Sequence, residues 1–148
     1  MGKWAQGIYT PKNPSKYIGK HSPKYRSGWE LRVMIFLDEN KHITHWASEA
    51  ISIPYKNPLT GKPSMYIPDF FVVYENKFHQ MKAEIIEVKP KSQTSLTEAR
   101  SRQDQVHAVV NKAKFMAAMA YCKQHGYVFR VISEDSIFMN TKSNVKKR

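Results

Sequence analysis

The sequence predicts an α/β domain in which a central mixed sheet is flanked by helices, in the order helix, three strands, helix, strand. Two segments, 27–40 and 95–125, repeat apolar residues at helical spacing. Several shorter runs are rich in the β-branched and aromatic residues that favour strands. The 148 residues suffice for one domain with a substantial core, and a hydrophobic fraction of 41% is ordinary for a globular protein.

The first helix is predicted to begin after Ser27, a residue type that commonly caps helix N-termini. Apolar residues then recur at intervals of three and four, at Trp29, Val33, Phe36 and Leu37. Glu30 lies in register with Val33 and Leu37. We therefore expect this glutamate on the inner side of the helix.

Three strands are predicted between the two helices. Segment 43–55 indicates one or two strands, because apolar residues alternate with polar or small ones near its end. Segment 56–64 is rich in turn residues and is expected to be a connector. Segments 65–74 and 83–89 predict the second and third strands.

The second helix is the clearest in the chain. Ser95 followed by Glu98 matches a capping box, and Gly126 is well placed to end the helix. Its expected apolar stripe is Val106, Val109, Val110, Ala113, Ala117 and Ala120. Segment 127–133 predicts a last strand, and the intervening helix is long enough for a right-handed crossover to a parallel position.

Positive charge is concentrated at the two ends of the chain. The 24 Lys and Arg exceed the 12 Asp and Glu, and a net charge of +12 indicates an anionic partner such as nucleic acid. Residues 1–26 carry six of these cations, residues 139–148 carry four, and neither segment contains an acid. We therefore expect a basic aromatic arm over 1–26, a globular domain over 27–138 and a basic tail over 139–148.

Composition excludes several classes of protein. The single cysteine, Cys122, excludes an internal disulfide framework and a cysteine-rich zinc site. No apolar run reaches membrane-spanning length, and the N-terminus lacks the apolar core of a signal peptide. We expect a soluble protein that is not secreted and does not associate with membranes.

Two carboxylates and a lysine lie at the start of one predicted strand and at the end of the next. Asp69 follows Pro68, which cannot donate a ladder hydrogen bond and favours a strand start. Glu87 and Lys89 share one face of their strand, because side chains alternate. A tight connection between the strands would bring Asp69 beside Glu87.

Adjacent carboxylates repel each other unless one is protonated or a divalent cation lies between them. Mg²⁺ suits such a site, with Mn²⁺ as a substitute, and would support phosphodiester hydrolysis. Lys89 could orient the attacking water or stabilise the transition state, and Glu30 could hold a metal-bound water. Alternatively, Asp69 caps a strand, Glu87 and Lys89 form an exposed ion pair, and Glu30 is a favourable first-turn acid.

The pattern of Pro68-Asp69, Glu87-Val88-Lys89 and the preceding Glu30 resembles the PD-(D/E)xK nuclease superfamily. The resemblance covers about residues 27–133. It implies a restriction-endonuclease-like core and Mg²⁺ bound by Asp69, Glu87 and the main-chain carbonyl of Val88. It also implies a metal-dependent deoxyribonuclease with Glu30, Asp69, Glu87 and Lys89 as its catalytic residues.

Within that superfamily the chain resembles the transposon-end endonuclease branch and the head-completion nucleases of T-even-type phages. That likeness implies a virion protein that processes the packaged DNA end and prepares the head for tail joining. It would act in the host cytoplasm during assembly and contact portal or neck proteins. Two alternatives remain: a neck or connector protein with a vestigial nuclease fold, and a transposase-type or junction-resolving endonuclease.

Several basic residues outside the carboxylate cluster are candidates for contacts with DNA phosphates. They lie on the second helix, ahead of it or in the basic tail. They are Arg100, Arg102, Lys114, Lys142, Lys146, Lys147 and Arg148.

Overall fold

The structure, a computed structural model, describes residues 6–135. Its elements are β1 (Gly7–Ile8), β2 (Lys24–Tyr25), α1 (Gly28–Glu39), β3 (Ile43–Ser48), β4 (Ile53–Lys56), β5 (Pro63–Tyr66), β6 (Phe70–Glu75), β7 (Met81–Val88), α2 (Arg102–His125) and β8 (Val128–Ile132). Short 3-10 turns occur at Pro14–Lys16 and Lys91–Gln93. Neither α1 nor α2 is long and apolar enough to cross a membrane.

The central sheet has four strands in the order β3-β6-β7-β8. The pairs β3–β6 and β6–β7 are antiparallel, whereas β8 pairs with β7 in parallel after the α2 crossover. A mixed sheet flanked by helices was predicted, and the structure confirms this fold class. The parallel position of β8 was also predicted correctly.

The strand segments divide differently from the sequence prediction. Segment 43–55 forms two strands, but only β3 joins the central sheet. Strand β4 instead pairs with β5 in a separate hairpin, which takes its second strand partly from the expected connector. Segment 65–74, expected as one strand, is interrupted between Tyr66 and Phe70 because Pro68 cannot donate to a ladder.

The two helices pack on opposite faces of the sheet. The α1 side contains a buried cluster formed by Val33, Met34, Leu37, Ile43, Trp46, Phe70, Val72, Ile86, Val88 and Ile132. The α2 side contains Ile53, Tyr66, Ile85, Ala118 and Cys122. Because Ile85 and Ile86 belong to different clusters, β7 is covered on both faces.

Both helices begin at capping serines, although α2 begins later than predicted. The Ser27 side chain accepts a hydrogen bond from the Glu30 amide, as expected for α1. In α2 the capping residue is Ser101, which accepts from the Asp104 amide, rather than Ser95. Gly126 ends the helix in the left-handed conformation, with φ of 74°, as predicted.

The N-terminal segment packs on the domain as far as it is described, whereas an arm separate from the core was expected. Tyr9, Tyr17 and Tyr25 pack against the α1-side cluster. The rings of Tyr17 and Trp46 lie 4.7 Å apart, edge to face. These three tyrosines of the expected arm therefore contribute to the packing of the core. The proposed tail 139–148 lies outside the described residues.

Candidate active site

Asp69 and Glu87 lie side by side at one edge of the sheet. The Asp69 amide donates to Glu87 Oε1 over 3.2 Å, and Asp69 Oδ2 accepts from the Val88 amide over 2.7 Å. The Tyr66 hydroxyl also donates to Glu87 Oε1, over 2.8 Å. These bonds fix both carboxylates relative to the β7 backbone.

Strand register explains this juxtaposition. Phe70, the first residue of β6, pairs with Ile86 of β7. In an antiparallel pair, one step back on β6 corresponds to one step forward on β7, so Asp69 meets Glu87. Pro68 interrupts the backbone just before, and the Asp69 amide is therefore free to bond a side chain.

Burial and mutual repulsion disfavour negative charge on this pair. Burial raises the pKa of Asp69 well above its usual range, and the neighbouring Glu87 and Glu30 raise it further. Burial also raises the pKa of Glu87, against the opposing effects of Lys89 and the Tyr66 hydroxyl. Lys89 Nζ lies 3.4 Å from Glu87 Oε2. One lysine therefore offsets only part of the cost of holding two negative charges at this partly buried position.

Glu30 reaches the same region from the first turn of α1. Its Oε1 accepts from the Arg26 amide over 3.1 Å. Its pKa is raised by burial and by Glu49 and Glu87, so these carboxylates share one electrostatic environment. The structure thus brings together all four predicted site side chains: Glu30, Asp69, Glu87 and Lys89.

Glu49 is a fourth carboxylate of this region, and it was not among the predicted site residues. Its amide donates to the Asp69 carbonyl over 2.9 Å, and its φ of 51° lies in the left-handed region. Arg26 binds its two carboxylate oxygens at 3.0 and 3.2 Å. Strand register places Glu49 at the site: Ser48 pairs with Phe70, so the next residue of the antiparallel strand lies opposite Asp69.

The predicted DNA-contact residues separate into three groups. Lys114 lies on the side of α2 that approaches the site, with its Nζ over the rings of Tyr55 and Tyr66. Arg100 and Arg102 are exposed at the start of α2. The remaining four, Lys142, Lys146, Lys147 and Arg148, lie outside the described residues.

The residues at this edge suit a cation that takes few protein ligands. Within residues 6–135, no group of three or more His, Cys, Asp or Glu side chains is arranged to hold a metal ion. Asp69 and Glu87 nevertheless offer two carboxylates, and a divalent cation between them would relieve their repulsion. The Val88 carbonyl leaves β7 on the same edge as its amide, which faces Asp69. Such an oxygen set fits Mg²⁺, which usually retains several waters.

Comparison with known proteins identifies the family of the chain. Residues 40–134 match the family model described as the TnsA-like endonuclease N-terminal domain, a range that includes Asp69, Glu87 and Lys89. The head completion nuclease of Enterobacteria phage T4 is 34% identical over 149 residues, which cover 92% of this chain and 92% of that protein. The chain therefore belongs to the TnsA-like endonuclease family and contains its N-terminal domain.

Proposed function

We propose that this protein is a Mg²⁺-dependent DNA nuclease. The observation that carries the proposal is the Asp69–Glu87 pair, with Glu87 buried, Asp69 partly buried and Lys89 beside them, at the sheet edge of a chain in an endonuclease family. Mn²⁺ is expected to substitute for Mg²⁺, because both accept carboxylate and carbonyl oxygens. The proposed protein ligands are Asp69, Glu87 and the Val88 carbonyl.

Bound Mg²⁺ would activate water as a nucleophile and neutralise charge on the scissile phosphate. The protein's own residues set the orientation of the two carboxylates. The Val88 amide orients Asp69, while the Tyr66 hydroxyl and Asp69 amide hold Glu87 Oε1. Glu87 Oε2 is left to face Lys89.

Lys89 is proposed to act on the reacting groups directly. Its side chain is 26% exposed, so the ammonium can reach a bound phosphate while it stays beside Glu87. There it would orient the attacking water or stabilise negative charge that develops on the phosphate. Glu30, held by the Arg26 amide, would accept a hydrogen bond from a water in the site.

We further propose a role in completing phage heads, by similarity to the T4 head completion nuclease. In this role the protein would process the packaged DNA end and prepare the filled head for tail joining. Its partners would be DNA and the portal or neck proteins. It would be present in the host cytoplasm during assembly and then in the virion.

The proposed activity can be tested by incubating the purified protein with DNA. We expect cleavage of linear duplex DNA with Mg²⁺ or Mn²⁺ and none with excess chelator. Circular and branched DNA should be compared in the same experiment, because selective cutting of branches would favour a junction-resolving enzyme. Absence of cleavage on every substrate with either metal would instead support a connector protein with a vestigial site.

A further inference from the structure

Lys114 is a half-buried cation of α2. Within residues 6–135, no carboxylate forms an ion pair with it. Its Nζ lies 5.9 Å from the ring centroid of Tyr55 and 5.6 Å from that of Tyr66. The two rings belong to the two strands of the β4–β5 hairpin. The ammonium is therefore held between the hairpin and the helix by aromatic faces, which attract cations but do not neutralise them.

Lys114 lies close enough to the carboxylate cluster to interact with it electrostatically. Burial lowers its pKa, the neighbouring Lys89 lowers it further, and Glu87 and Asp69 oppose this change. Its aromatic neighbour Tyr66 donates to Glu87 Oε1. Lys114 thus lies beside the proposed site, on the side formed by α2 and the hairpin.

Arg26 and Lys89, the other cations that residues 6–135 place at the site, are already paired. Arg26 binds both oxygens of Glu49, and Lys89 lies against Glu87. A DNA strand that approaches the site brings phosphates toward Glu30, Asp69 and Glu87, and these acids repel it. An ammonium that is partly desolvated and lacks its own carboxylate gains most from a phosphate partner.

We propose that Lys114 binds a backbone phosphate of the DNA strand held for cleavage and so positions that strand over the carboxylates. This inference rests on the proposed nuclease function and assigns one residue of its substrate-binding surface. Tyr55 and Tyr66 fix the lysine side chain in advance, which reduces the conformational entropy lost when DNA binds. The alternative is a purely structural lysine that joins α2 to the hairpin through its aromatic contacts.

Three substitutions separate these roles. Lys114→Met keeps a long apolar side chain between the rings but removes the charge, whereas Lys114→Arg keeps the charge. Lys123→Met is the matched control, because this exposed lysine lies nine residues further along α2, about 13 Å away along the axis and on the opposite side. Duplex DNA binding is measured in chelator, so that cleavage does not interfere, at several salt concentrations.

We expect Lys114→Met to lower the slope of log affinity against log salt by about 0.9, the value for one lost phosphate contact on duplex DNA. Its loss of affinity should then be about 3.5-fold larger at 50 mM than at 200 mM salt. Lys114→Arg should restore the slope, and Lys123→Met should not change it. With Mg²⁺, Lys114→Met should raise KM more than it lowers kcat.

If the wild-type protein binds and cleaves DNA but Lys114→Met leaves the salt slope unchanged, the role of Lys114 is wrong and the proposed function stands. The same result with a lowered melting temperature would assign Lys114 a structural role. A wild type that neither binds nor cleaves DNA would overturn the proposed function and this inference with it. An equal loss of slope in Lys123→Met would show a diffuse charge effect and also contradict a specific contact.

Discussion

The carboxylate of Asp69 lies where burial and two neighbouring acids all oppose its negative charge. Its bond to the Val88 amide and the nearby ammonium of Lys89 offset part of that cost. A carboxylate held in this way would gain more from a bound cation than it contributes to the fold. Strongly perturbed carboxyl groups of this kind are concentrated at functional sites.

The raised pKa of Asp69 predicts a pH-dependent effect of Asp69→Asn on the metal-free protein. Because folding raises the pKa above its usual 3.8, ionised Asp69 destabilises the fold at neutral pH. Asn removes the charge and can still accept from the Val88 amide. In chelator, the variant should melt at a higher temperature than wild type at pH 7. This difference should shrink as the pH falls through the raised pKa toward 3.8.

Thermal unfolding of both proteins across this pH range checks the prediction. A lower melting temperature for the variant at neutral pH would mean that ionised Asp69 stabilises the fold. The electrostatic description of the carboxylate pair would then be wrong.

Lys89→Ala should reduce turnover without removing metal affinity, because an ammonium does not coordinate a cation. Loss of one such transition-state contact commonly lowers the rate by about 10²–10³. Calorimetric titration with Mn²⁺ and single-turnover cleavage at saturating metal measure the two quantities separately. Collapsed metal affinity with a normal single-turnover rate would instead assign Lys89 a role in shaping the site.

The residue pattern predicted the proximity of some side chains of the candidate site but not of others. Asp69, Glu87 and Lys89 are close in sequence and lie on consecutive strands, so side-chain alternation sufficed to place them together. Glu49 and Tyr66 reach the cluster through strand register and the β4–β5 hairpin, which are long-range properties. No local pattern marks either residue as part of the site.

At the scale of elements, local sequence signals predicted the C-terminal end of α2 correctly and its N-terminal end incorrectly. Gly126 ends α2 as expected, whereas the Ser95 capping box forms only an isolated bond to the Glu98 amide, over 3.3 Å. The buried side of α2 includes Asn111, whose side-chain amide donates to the Gln93 carbonyl. Because this buried residue is polar, the apolar stripe expected from the sequence is displaced, and Val106 is 42% exposed.

The connection between α1 and the N-terminal segment depends on Asp38. This side chain is fully buried at the end of α1 and accepts from the Tyr9 hydroxyl and the amides of Lys12 and Asn13. Asp38→Ala leaves two main-chain donors without their acceptor. Because these bonds are only partly buried, each lost acceptor should cost about 1 kcal/mol, the lower end of the usual range, and we expect a loss of about 2 kcal/mol in unfolding free energy, measured by urea denaturation.

Lys12→Ala is the matched control for Asp38→Ala. It removes an exposed ion pair with Glu39 but keeps the main-chain amide that bonds Asp38. Exposed pairs contribute about 0–1 kcal/mol, so a small change is expected. Equal effects of the two substitutions would show that Asp38 does not anchor the segment.

At the scale of the whole molecule, the two basic ends are expected to differ in function. Deletion of residues 1–26 should destabilise or unfold the protein, because Tyr9, Tyr17 and Tyr25 belong to the core. Deletion of residues 139–148 removes four cations and no proposed catalytic residue. We expect that truncated protein to fold and cleave, with a smaller salt slope for DNA binding.

Circular dichroism and DNA binding at several salt concentrations check both deletions. A folded, active protein without residues 1–26 would contradict their assignment to the core. An unchanged salt slope without residues 139–148 would indicate that the tail does not contact DNA. The tail would then be tested for binding to protein partners.

The proposed function depends above all on Asp69 and Glu87, which together would hold the metal ion needed to cut DNA. The most direct measurement is single-turnover cleavage of duplex DNA by Asp69→Asn and Glu87→Gln, with Glu84→Gln as the control. Glu84 is a buried glutamate of the same strand, but its carboxylate is bound by Arg130 and Tyr74. We expect both site variants to bind DNA and lose cleavage at any Mg²⁺ concentration, while folded Glu84→Gln cleaves normally. Wild-type cleavage by either site variant would contradict the account.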